Sequence, residues 1–175
     1  MARMRDTLIV IGLALVAILI GVFMFLYGQG NLSGPSSAAV SYTPTPAAVD
    51  VPFTPLAQGE QSTVSTRANY LITSKSELAD LWKMVDARGQ IPVVDFTTNN
   101  VIAVFAGKEP TAGYTIAVSK IQDTSTREVT VTLSAPGGSC VLAQKVTAPY
   151  QIVELPKTSL NFTHQDILTT TSCLK

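Results

Sequence analysis

Residues Thr7 to Tyr27, TLIVIGLALVAILIGVFMFLY, run for 21 positions without a charged side chain. No other feature restricts the fold as much. A helix rises about 1.5 Å per residue, so a run of this length crosses the ~30 Å hydrocarbon layer of a bilayer. There it satisfies its backbone polar groups internally, which hydrocarbon requires. A core helix of a globular domain would carry a polar face, and this segment is apolar all round. A cleaved signal peptide has a shorter apolar stretch and a small-residue site close behind it. Ser36-Ser37-Ala38 lies well beyond the run, and no cysteine stands directly behind it for lipoprotein processing. Arg3 and Arg5 precede the run, and the next basic residue is Arg67. The positive-inside rule then keeps residues 1–6 in the cytoplasm and exports the chain beyond Tyr27. The expectation is a single-pass anchor over 7–27, with the lipid bilayer as its partner.

Gly28 to Pro55 is rich in Gly, Ser, Thr, Ala and Pro, with a single charge at Asp50. Such a composition suits a solvated spacer, extended through Thr43-Pro44-Thr45-Pro46. Residues 56–175 are expected to form one extracytoplasmic domain. The whole chain carries twelve basic and twelve acidic residues. Arg3, Arg5, Asp6 and Asp50 precede the domain, which leaves ten against ten within it. A nucleic-acid binder shows a basic surplus or a basic face, and neither is present.

Within the domain, Ser74-Lys75-Ser76-Glu77 is a capping box, and Leu78, Leu81, Trp82 and Val85 follow at helical spacing. With Gly89 as a stop, the pattern predicts a helix from Ser74 to about Arg88. β-branched runs predict strands over 100–106, 114–121, 127–134 and 150–155, with others over 53–59, 63–72 and 160–163. The fold class is α+β. One twisted, mainly antiparallel sheet is expected, meandering and able to curl toward a barrel, with one amphipathic helix packed on it.

Cys140 and Cys173 both fall in the exported part, where disulfides persist, so they read as a bridge. The alternative is a reactive thiol with His164, the one histidine, as its base. His164 has Asp166 two residues on, a poor arrangement for a triad within one strand. No H-E-x-x-H, C-x-x-C, phosphate loop or dinucleotide fingerprint occurs. Neither a catalytic set nor a metal or cofactor site is therefore assigned. The loop Gly107-Lys108-Glu109-Pro110-Thr111-Ala112-Gly113-Tyr114 joins two strand candidates and holds two glycines and a proline. It reads either as a plain connection or as a rigid recognition loop.

These pieces resemble the C-terminal domain family of the protease complex subunit PrcB. The resemblance is carried in order by several short segments. They are Ile72-Thr73-Ser74-Lys75-Ser76-Glu77-Leu78 with Leu81-Trp82, Ile91-Pro92-Val93-Val94-Asp95-Phe96, and Val101 to Gly107. Next come Pro110-Thr111-Ala112-Gly113-Tyr114 and then Ala148-Pro149-Tyr150-Gln151-Ile152-Val153. It spans about residues 70–158, with Ala112 where the family typically has glycine. The resemblance implies a non-catalytic exported domain that associates with a protease. Gly107, Pro110, Thr111, Ala112, Gly113 and Tyr114 would then form the partner-binding loop. The same loop also looks like the Asn-Pro-Thr-Thr-Gly-Tyr loop of chagasin-type cysteine-protease inhibitors, with Glu109 in place of the asparagine. Inhibition is thus the second reading, and an envelope enzyme using His164 the third.

Overall fold

The computed structural model describes residues 47–138 and 140–172. The expected tail and anchor, most of the spacer, and Cys173 lie outside the described residues. The described elements run β1 (Val49–Asp50), β2 (Thr54–Gly59), β3 (Ala68–Ile72), α1 (Lys75–Trp82) and β4 (Asn99–Phe105). They continue with β5 (Thr115–Asp123), β6 (Arg127–Pro136), β7 (Tyr150–Pro156) and β8 (Phe162–Thr171). The content is mainly β with one short helix, as the strand and capping patterns anticipate.

The strands form two sheets rather than one. The first has the order β1-β5-β6-β8 and the second β2-β7-β4-β3. Only β3–β4 and β5–β6 are sequential neighbours, so the expected meander is not what forms. All pairs are antiparallel except β6–β8, which is parallel through its whole register. Among the described residues the sheets do not close into a barrel, and β1, β8, β2 and β3 stand at their edges. One apolar cluster lies between the sheets, including Ile102 and Val104 from β4, Val153 and Leu155 from β7, and Ile116, Ile121 and Val131 opposite. A second covers the other face of β4 and β7, where Val101, Ala103, Phe105, Tyr150 and Ile152 meet Leu78 and Leu81 of α1. β4 and β7 are thus covered on both faces, which explains why NNVIAVF and YQIVELP read as continuous runs rather than alternations.

β5 keeps its apolar side inward by means of a bulge. Ile116 and Val118 face the core, and strict alternation would then turn Lys120 inward and Ile121 out. The register slips between Val118 and Lys120, which restores Ile121 to the core and Lys120 to solvent. The Ser119 hydroxyl, bonded to the Thr130 carbonyl at 3.2 Å, marks the slip.

Three boundaries differ from those expected. The helix ends at Trp82, not near Arg88, because the chain beyond it pairs with residues 61–63. Thr63 N–H donates to the Met84 carbonyl (2.8 Å), and Asp86 N–H donates to the Gln61 carbonyl (3.2 Å). The final strand extends from Phe162 to Thr171 and pairs throughout with β6, so the polar His164-Gln165-Asp166 triplet did not end it. The folded unit also starts before Leu56: Val49 and Asp50 pair with β5, and Val51 is buried in the core.

Candidate functional site

The 107–114 loop leaves β4 at Gly107, whose φ of +89° lies in the left-handed region. A Cβ there would stand 2.9 Å from the carbonyl carbon of Thr66. Both constraints admit only glycine without rearrangement. Lys108 N–H then donates to the Ser65 carbonyl at 3.2 Å, holding one flank of the loop. The other flank rests on residues 143–149. Glu109 and Thr147 exchange backbone bonds of 2.8 and 3.0 Å, and Ala112 N–H donates to the Ala143 carbonyl at 3.1 Å. The Thr147 hydroxyl, 1% exposed as a residue, donates to the Thr111 carbonyl at 3.0 Å. Gly113, with φ of +92°, turns the chain toward β5.

Of the site residues expected from sequence, Gly107 is buried, Pro110 and Gly113 are exposed, and Thr111, Ala112 and Tyr114 are half-buried. All six lie on one loop whose backbone is bonded to Ser65 on one side and to Ala143 and Thr147 on the other. Sequence reading missed the residues around it. Val141 and Val146, on the segment that braces the loop, are both largely exposed. Leu168, on β8, is 80% exposed. Together with Ala106, Leu133 and Tyr114, Leu168 walls a cleft of about 240 Å³ that also takes in Glu109. Burial holds the Glu109 carboxyl above its ordinary 4.5. Leu133, Val141, Val146 and Leu168 lie far from the loop in sequence and Ala106 reads as an ordinary strand residue, which is why periodicity did not flag them.

The alternative chemistry is not assembled. Asp166 is held by Arg67 through two bonds, Nε–Oδ2 at 2.9 Å and Nη2–Oδ1 at 2.6 Å. Cys140 Sγ lies 4.0 Å from the Thr171 carbonyl, seven residues along β8 from His164. At about 3.3 Å per strand residue that separates the two by roughly 20 Å, too far for a thiol and its base. Among the described residues no three His, Cys, Asp or Glu side chains gather as a metal site, and no cysteine is free.

Residues 100–156 match the family model for the PrcB C-terminal domain. The matched segment runs from β4 through β7 and contains both the loop and the stretch that braces it. It falls inside the wider resemblance read from sequence, while α1 and β8 lie outside it. No curated protein and no solved structure matches the chain.

Proposed function

We propose that this chain is a membrane-anchored, extracytoplasmic protein-binding module, a non-catalytic accessory subunit of an exported protease. The single observation that carries the reading is the loop. It is bonded to the backbone on both flanks; Pro110 on the loop and Val141 and Val146 on the segment that braces it are exposed. Rigid presentation of apolar groups lowers the ordering cost of binding a partner. The PrcB C-terminal match over this segment points the same way. The apolar run over 7–27 and the arginines before it support anchoring with the domain outside. That compartment in turn favours a Cys140–Cys173 bridge, as does the seating of Cys140 beside Thr171, two residues from Cys173.

The test is co-purification of an exported protease with the full chain from detergent-solubilised membranes. A chain carrying Pro110→Ser and Val146→Asp should lose it, since both changes lie on the exposed rim. Equal recovery by wild type and variant would remove the loop from the interface. The second reading, inhibition, draws on the same bracing, because a loop held in place on both sides can occupy an active site without being drawn in as substrate. An accessory subunit leaves protease turnover intact when the purified chain is added in excess; an inhibitor stops it.

A further inference from the structure

The cleft beside the loop holds one charged residue, Glu109. Its other walls are Tyr114, Leu133 and Leu168, with the hydroxyls of Ser134 and Thr169, themselves 2.6 Å apart, on the strand side. The ion pairs among the described residues join Arg67 to Asp166, Lys83 to Asp80, Lys120 to Asp50 and Arg127 to Asp123; Glu109 is in none of them. A carboxylate drawn out of water beside apolar walls, with no cation to meet it, costs the fold free energy. Its elevated pKa reports that cost. Carboxylate and apolar walls together complement an amphipathic cation, whose methylene stem lies on hydrocarbon while its head meets the charge.

We propose that this cleft receives a lysine or arginine side chain of the partner protein. Glu109 meets the cationic head, and Leu133, Leu168 and Tyr114 cover the stem. The proposal rests on the reading of this loop as a protein-binding surface and names what that surface selects. It also explains why a large apolar side chain such as Leu168 stays 80% exposed: its cover arrives with the partner.

The test is an NMR titration of the isotopically labelled full chain in neutral detergent. The probes are the capped tripeptides acetyl-Ala-Lys-Ala-amide and acetyl-Ala-Arg-Ala-amide, with acetyl-Ala-norleucine-Ala-amide as the uncharged control. The basic peptides should shift the amides of Glu109, Tyr114, Leu133 and Leu168, and the control should not. Glu109→Gln should weaken the basic peptides about tenfold. The variant should keep or raise the thermal midpoint, because a group whose folded pKa is raised favours folding below its unfolded value and loses that contribution as pH rises. A structural role for Glu109 would instead lower the midpoint. Leu168→Ala, at an exposed position outside the core, should weaken the basic peptides several-fold and gives a second reading if Glu109→Gln disturbs the fold. Equal shifts with norleucine, no shift with either basic peptide, or unchanged affinity in both variants would overturn the proposal. The peptides report on the cleft alone while protease recovery reports on the loop rim, so either can fail without the other.

Discussion

Gly107 and Gly113 share a left-handed backbone but differ in their surroundings. At Gly107 an added Cβ meets main chain at 2.9 Å; at Gly113 it meets the movable Leu142 side chain at 3.1 Å. Both substitutions carry the penalty of a positive φ, ~1–2 kcal/mol, and only the first adds a backbone clash. Gly107→Ala should therefore cost about 3 kcal/mol and Gly113→Ala about 1 kcal/mol, read as urea-unfolding midpoints. Equal costs would mean that the crossing at Thr66 is not rigid. A second residue-scale feature lies at the opposite end of β6. Arg127, 3% exposed, donates from Nε and Nη2 to both Asp123 oxygens at 2.7 Å, bonds the Pro156 carbonyl through Nη1, and lies over the Phe162 ring. One side chain thus ties the β5–β6 hairpin to the end of β7 and the start of β8. Its hydrogen bonds hold the Asp123 carboxyl below its ordinary 3.8. A depressed carboxyl pKa contributes stability above the unfolded value, and that contribution is lost as pH falls through the folded value. Asp123→Ala, which strands a buried guanidinium, should cost about 3 kcal/mol at neutral pH. The gap to wild type should narrow on acidification below the ordinary carboxyl range. A gap independent of pH would show that charge plays no part.

At the scale of elements, the helix start was legible and its end was not. Ser74 accepts from the Glu77 N–H at 3.3 Å, as the capping box requires. The returning bond is displaced by one residue: Glu77 Oε2 accepts from the Thr73 N–H at 2.7 Å, which holds the Glu77 carboxyl below its ordinary range. Ser74→Ala should cost about 1 kcal/mol, measured by thermal unfolding; no change would mean that the Thr73–Glu77 bond alone sets the start. The end escaped sequence reading because Val85 continues the helical spacing and yet bridges Ser62 in a strand-like pairing. A period cannot register a partner more than twenty residues upstream. The same limit applies to β8. Thr163 to Thr171 are exposed, so neither alternation nor burial marked the strand, and its order comes from main-chain pairing with β6.

At the scale of the molecule, two sheets share one core and leave an open end where the loop, its brace and β8 meet. A Cys140–Cys173 bridge would pin the end of β8 to the brace of the loop, and so join the two walls of that end. The expected outcome is no thiol reactive in the native chain and two after denaturation and reduction. Cys140→Ser should lower stability by ~3 kcal/mol. Two thiols reactive in the native chain would end that reading. By itself the sequence determined the elements whose signal is local. The capped helix start, the β-branched strands and the glycine-turned loop each depend on neighbouring residues, so periodicity and turn chemistry expose them. Only the tertiary structure decided that the strands divide between two sheets, that β6 and β8 run parallel, and that Glu109 shares a cleft with Leu133 and Leu168. Those facts depend on contacts between segments far apart in the chain, where pairing is set by shared burial and main-chain bonding that no single stretch of sequence contains.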